Sequence, residues 1–294
     1  MNGFINLLKP PGMSSGAAVA VVKRLTGEKV GHAGTLDPEA AGVLPIMVGR
    51  TARLLDYFPD KTKSYIAEIA FAGATDTQDA QGTVIEAAKR VPGRDEILSV
   101  LTKFRGDILQ RPPAYSALKR DGVPLYELAR KGITVEIKAR PTVIRALELG
   151  EQTSPDGYML HVDCGNGTYI RTLCHDIGQA FDAPAHMRFL LRTRHGTFAI
   201  ENAVTIEEVM AAGERKAIES LLLPMDFPLE ALPRLDVPER YWKLARNGGK
   251  LPGELMPQAQ ENQFIRVYAD TVLLGVAHKE QSLIRFDVGL TGGN

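Results

Sequence analysis

Gly31-His32-Ala33-Gly34-Thr35-Leu36-Asp37-Pro38-Glu39-Ala40-Ala41-Gly42-Val43-Leu44-Pro45 is the stretch on which the reading turns. Its glycines permit tight turns and close approach of the backbone to a ligand. Pro38 biases Asp37 away from helical geometry and holds it extended at the edge of a loop. The apolar run at residues 43–48 reads as a buried strand, an anchor for that loop. A carboxylate presented this way is placed to act as a nucleophile. These residues alone leave a second reading open, a turn or capping carboxylate.

Outward from this stretch, residues 4–8 read as a short strand ended by the turn Lys9-Pro10-Pro11-Gly12. Ser14 or Ser15 can cap a helix running to about residue 25 and stopped by Gly27. Residues 30–42 read as a loop, 51–57 and 94–104 as helical, and 64–71 as an alternating strand. Further strands are expected at 142–149, 158–164 and 188–198, with helices at 168–181, 206–210 and 215–222. Strands and helices mixed without a regular βαβ alternation indicate an α+β fold. Four prolines between residues 224 and 238 mark a boundary. Beyond it, one helix at 239–247 and strands near 264–268, 271–278 and 283–287 form a small β-rich unit.

The bulk composition is that of an ordinary globular chain: 294 residues, 44% hydrophobic and 24% charged. That excludes a disordered or fibrous protein. No apolar run is long enough to span a bilayer, and the N-terminus shows no secretory signal. Cys164 and Cys174 form neither a CxxC nor a disulfide framework, so a reducing, cytoplasmic setting is expected. The net charge is zero, but residues 103–145 hold ten Lys/Arg against four acids. Such a local excess can hold phosphates on a neutral protein. Residues 105–140 are polar, basic and broken by Pro and Gly, with one short helix at 125–131, and read as an insertion.

Here the motifs carry a resemblance. GHAGTLDPEAAGVLP is similar to the catalytic motif of TruB-type tRNA pseudouridine synthases, close to GHxGTLDPxAxGxLP. Lys9-Pro10-Pro11-Gly12-Met13-Ser14-Ser15 resembles that family's KPxGxxS motif, Lys63-Ser64-Tyr65 its KxY strand, and Gly167-Thr168-Tyr169-Ile170-Arg171 its GTYIR motif. Residues 185–193 resemble AHxxxLRRT, with Leu191 where the first Arg usually stands. Arg111-Pro112-Pro113-Ala114-Tyr115-Ser116-Ala117-Leu118-Lys119 resembles the family's insertion. The matches run in order over about residues 3–230, and the tail is similar to a PUA domain.

The resemblance implies the pseudouridine synthase fold: a mixed, largely antiparallel central sheet in residues 1–230, a basic thumb at about 105–140, and a PUA-like RNA-binding domain at 234–294. It implies isomerisation of uridine 55 in the T-arm loop of tRNA. Asp37 is then the nucleophile, Arg171 its partner and Tyr65 the ring that stacks on the target base. Tyr169 and Leu190 line the uracil pocket, and His32 sits against the RNA that the base has left. Lys9, Arg111, Lys119 and Arg120 are expected on the RNA. The chemistry implies no cofactor and no metal, and a monomer that needs no protein partner. Two alternatives remain: a synthase acting on other RNA, and a tRNA-binding or folding protein in which catalysis is secondary. The ribosomal families usually read HRLDxxTSG where this chain has GTLDPEAAG. The set Asp37, Tyr65 and Arg171 argues against a binding role alone.

Overall fold

A computed structural model describes residues 1–133 and 135–291; residue 134 of the insertion and the last three residues lie outside it. Its centre is a ten-stranded mixed sheet. The strand Gly3–Lys9 pairs antiparallel with Ala41–Val48, which lies parallel to His186–His195. Antiparallel pairing then continues through Lys63–Ala70, Gly157–Cys164, Arg140–Ser154 and Gly106–Gln110. The architecture is α+β, as the pattern of elements indicates.

Local chemistry explains these elements. Lys63–Ala70 alternates buried and half-buried residues, the period-2 signature of a strand with one face on a core. Ala41–Val48 is buried almost throughout because helices cover it on one side and further apolar residues on the other. Ser14 caps the helix Ser15–Thr26 by accepting from the Ala17 amide, and Gly27 ends it in the left-handed region. None of the described helices is long and apolar enough to cross a membrane.

Among the elements that differ from the expectation are the following three. Residues 30–32, expected as loop, form the strand Val30–His32 beside Ala41–Val48. Residues 106–110, expected inside the insertion, form the edge strand of the central sheet. Its side chains are mostly exposed, so no alternation marks it. The excursion therefore leaves the sheet after Gln110 and returns at Arg140. The expected helix at 215–222 shrinks to a single 3-10 turn, Ile218–Leu221. Lys216 takes the left-handed region just beyond the helix Ile206–Glu214, and a helix cannot run through that conformation.

The C-terminal unit is a second, five-stranded sheet with the short helix Trp242–Arg246. It has its own apolar core, around Leu235, Leu251, Ile265, Val267 and Ile284. One edge is fused to the first unit, where Tyr268, Leu273, Val276 and Leu290 join one cluster with Phe4, Leu54, Phe58 and Phe198.

Candidate active site

The parallel seam between Ala41–Val48 and His186–His195 sets the position of the Asp37 loop. Gly42 faces Arg192 there with φ at +117°, and a Cβ on it would lie 2.2 Å from the Arg192 carbonyl oxygen. Only glycine lets the two strands meet so closely. From this seam the chain turns back through Asp37.

Three buried side chains pin the loop. The Ser15 hydroxyl accepts from the Leu36 amide and donates to the Leu36 carbonyl, both at 2.9 Å. Lys9 donates to the carbonyls of Met13 at 2.6 Å, Pro10 at 2.8 Å and Pro38 at 3.0 Å. Arg192 donates to Val43 at 2.7 Å and to Gly34 at 2.9 Å. The resemblance puts Lys9 on the RNA, and the structure corrects this. Lys9 is fully buried and its three protons are spent on carbonyls, so it reaches no phosphate and serves as an internal clamp.

Asp37 meets Arg171 in a forked ion pair. The Nε lies 2.9 Å from one carboxylate oxygen and an Nη donates to the other at 3.2 Å. Arg171 stands on the first turn of the helix Ile170–Gln179 and is buried. Its remaining protons go to the carbonyls of Thr77 at 3.0 Å and Tyr115 at 2.9 Å, and to Asp79 at 3.4 Å. One guanidinium thus ties together the Asp37 loop, the 77–79 loop and the insertion. Burial raises the Asp37 carboxyl above its ordinary value, while Arg171 opposes the rise. With 37% of its side chain exposed, it stands in the wall that two cavities share.

Two cavities meet at Asp37. The larger, about 720 Å³, opens between the helix Ser15–Thr26, His32 and the insertion. The smaller, about 300 Å³, is lined by Tyr65, Tyr169, Leu190, Lys63 and Arg192 among others. Tyr65 and Leu190 are nearly buried, and Tyr169 is half-buried. The Gln110 side chain holds the Tyr169 backbone at both ends, accepting from its amide at 3.0 Å and donating to its carbonyl at 3.2 Å. His32 lines the larger cavity, and burial followed by the Arg192 charge lowers its pKa, leaving a neutral ring. The structure thus gathers Asp37, His32, Tyr65, Tyr169, Arg171 and Leu190 around one centre. Arg111, Lys119 and Arg120 stand apart from it on the insertion, Arg111 and Arg120 exposed and Lys119 in the short strand Lys119–Arg120.

Sequence reasoning missed Asp79, Gln110, Lys63 and Arg192 as members of the site. Lys63 and Arg192 stand inside quoted motifs, which was the signal available for them. No pattern in the sequence marks Asp79 as a partner of Arg171, since the contact joins residues 92 apart.

Residues 23–170 match the model of the TruB family pseudouridylate synthase N-terminal domain, and residues 171–230 that of the tRNA pseudouridylate synthase B C-terminal domain. A tRNA pseudouridine synthase B from Clostridium perfringens is 40% identical over 287 residues, 96% of each chain. One from Heliobacterium modesticaldum is 42% identical over 282 residues, 94% of this chain and 90% of the relative. Among solved structures, a chain of a Cbf5-Nop10-Gar1 complex superposes with a TM-score of 0.74 at 27% identity, covering 97% of this chain and 83% of that one.

Proposed function

Because this chain belongs to the TruB family of pseudouridylate synthases, we propose that it converts uridine 55 in the T-arm loop of tRNA to pseudouridine, with Asp37 as nucleophile. The observation that carries this reading is the forked Arg171–Asp37 pair, set where the two cavities join.

The chemistry is an isomerisation. The bond from C1′ to N1 breaks, a bond from C1′ to C5 forms, a proton leaves C5 and one is taken up at N1. No electrons are gained or lost overall, so a carboxylate suffices and neither redox nor metal chemistry is needed. The base must first leave its stack, at a cost of a few kcal/mol. The smaller cavity takes the flipped ring, with Tyr65 against its face and Leu190 and Tyr169 at its sides. Arg171 keeps the Asp37 carboxylate ionised and aimed. The larger cavity receives the surrounding RNA, with neutral His32 packed against it.

Affinity comes from elsewhere. Arg111, Lys119 and Arg120 present charge on the insertion at about 105–140, which serves as a thumb. The C-terminal unit at 234–294 adds a PUA-like RNA surface. On this reading the protein acts as a monomer in the cytoplasm and needs no protein partner. The test is turnover on an unmodified tRNA transcript, wild type beside Asp37→Asn. The variant is expected to form no pseudouridine while binding tRNA within about tenfold of wild type. Normal turnover by the variant would remove Asp37 from the mechanism.

A further inference from the structure

The smaller cavity carries more positive charge than its visible chemistry requires. Asp37 is the acid among its described lining residues, against Lys63, Arg171 and Arg192. Asp37 and Arg171 neutralise each other. Arg192 is fully buried and directs its guanidinium to the carbonyls of Gly34 and Val43. Lys63 is different. It is 8% exposed, and among the described residues its ammonium bonds to the Asn166 side-chain oxygen alone, at 2.7 Å. An ammonium has three protons, so two remain for whatever enters the cavity.

The neighbours supply no counter-charge. Lys63 pairs in register with Cys164 on one side and His195 on the other. Burial pushes the Cys164 thiol up to about 11 and drives the His195 ring down to about 3, so both are neutral at pH 7. Tyr65, two residues on, is neutral too, since burial raises its phenol. Arg192 adds like charge, and burial together with that charge lowers the Lys63 ammonium to about 8. A buried lysine without an acid costs stability. A sequence that keeps one holds it against an apolar substitution that would fit the fold better.

The proposed reaction supplies the missing partner. If Asp37 attacks C1′, the electron pair of the C1′–N1 bond stays with the base and spreads over N1, O2 and O4. If Asp37 attacks C6, the pair of the C5–C6 double bond moves toward C5 and O4. In both cases the carboxylate loses its negative charge to a covalent bond and the ring acquires it. Arg171 stabilises the charge where it starts. A cation unpaired at the start and facing the ring stabilises it where it arrives. Interactions of that second kind accelerate the step, because they are stronger in the transition state than in the bound substrate.

We propose that Lys63 is a further catalytic residue, whose ammonium meets a carbonyl oxygen of the flipped uracil as negative charge develops on the ring. This rests on the pseudouridine synthase reading above. By either route the C1′–N1 bond breaks with its electron pair going to the base, the ring turns, C5 bonds to C1′ and Asp37 leaves as a carboxylate; the C5 proton passes to solvent and N1 takes one up.

The test uses the full chain and unmodified tRNA, with Lys63→Met, Lys63→Gln and Lys63→Arg beside wild type. Under single turnover, the Met and Gln variants should lose on the order of 100-fold in rate. Their tRNA affinity should stay within about threefold of wild type, because phosphate contacts elsewhere carry it. Lys63→Arg should recover at least about tenfold over Met, since it restores a cation. The Tm of Lys63→Met should equal or exceed that of wild type, because an unpaired buried charge has been removed. The wild-type rate should fall as pH rises through about 8, where the ammonium loses its proton. Lys9 deprotonates in the same range, so the limb belongs to Lys63 if it vanishes in Lys63→Met. A Met variant with a wild-type rate, or one whose loss follows a fallen Tm, would overturn the role of Lys63 alone. A wild type that modifies no tRNA uridine would overturn the function from which the proposal starts.

Discussion

Asp37 holds its charge against the preference of its surroundings. Burial raises its pKa, and Arg171 opposes the rise. In the proposed mechanism the ionised form is the nucleophile, so the single-turnover rate should fall at acid pH with a midpoint above the ordinary aspartate value of about 3.9. A midpoint at or below that value would show that Arg171 dominates. The same shift bears on stability. A carboxyl whose folded pKa is raised contributes stability that is present below the unfolded pKa and lost as pH rises through the folded one. At pH 7 that contribution is gone, and an uncharged side chain restores it. Asp37→Asn should therefore match or exceed the wild-type Tm, since Arg171 keeps Asp79 and the carbonyls of Thr77 and Tyr115. A fall of more than about 4 °C, roughly 1–2 kcal/mol for a chain of this size, would mark the pair as structural. Lys9 shows the opposite character. Lys9→Met strands three part-buried carbonyls, each costing up to about 1–3 kcal/mol. Its Tm should drop by several degrees while the salt dependence of tRNA binding is unchanged; a flatter dependence would return Lys9 to the RNA. These two residues show what was legible. The types and spacing of Lys9, Asp37 and Arg171 pointed to one site, because each motif is short and local. Which way Lys9 points depends on Pro38, 29 residues away, and the sequence holds no sign of that contact.

At the scale of elements, the strands were legible where one face is buried and the other is not. Lys63–Ala70 alternates and so announces itself. Gly106–Gln110 is an edge strand with exposed side chains, held by backbone pairing to Arg140–Ser154, and carries no such mark. That distinction sets the bounds of the segment expected to move. Amides of residues 106–110 that pair in the sheet should resist hydrogen exchange without RNA, whereas those of the described residues between 111 and 139 should exchange faster and slow on binding tRNA. The described residues of the insertion are held in the free protein by the two-residue strands Lys119–Arg120 and Val123–Pro124, the helix Leu125–Arg130 with its buried Leu125, the amides of Leu125 and Tyr126 on the carbonyls of Leu118 and Ser116, and the Tyr115 carbonyl on Arg171. That last contact joins the proposed thumb to the guanidinium paired with Asp37, so binding and chemistry should depend on it together. Lys119→Ala with Arg120→Ala should weaken binding and reduce the salt slope by about two units, one per lost phosphate contact. Exchange that is equally slow with and without tRNA would show a rigid element, and an unchanged slope would take these two residues off the RNA.

At the scale of the whole molecule, the unit beyond the proline-rich boundary is packed against the first and is not free to be cut away. Phe4 and Leu54 are fully buried and Phe58 nearly so, in a cluster completed by Tyr268, Leu273, Val276 and Leu290 from the second sheet. Polar contacts cross the same seam. Arg50 and Arg53 donate to the carbonyls of Leu290 and Gly289, and Arg266 donates to those of Leu232 and Glu230. Tyr57 meets Phe264 edge to face at 5.2 Å. Removing the residues after 233 would expose apolar side chains worth about 1.5–3 kcal/mol each when fully buried. A loss of several such side chains approaches the whole stability of an ordinary domain, about 5–15 kcal/mol. The truncated chain should therefore aggregate or melt well below the full-length protein, whatever its effect on RNA. A soluble truncation with an unchanged Tm would show that the shared cluster contributes little. The contribution of this unit to tRNA binding is better read from its surface in the intact chain. Arg240, Lys243 and Arg246 lie on or beside the helix Trp242–Arg246, away from the shared cluster, and charge reversal at all three leaves that seam untouched. The triple variant should weaken tRNA binding and flatten its salt dependence, yet keep the wild-type single-turnover rate at saturating tRNA, because Asp37 and its partners belong to the other unit. Unchanged affinity would mean that this face carries no RNA, and a lower saturating rate would mean that it also helps seat the target base.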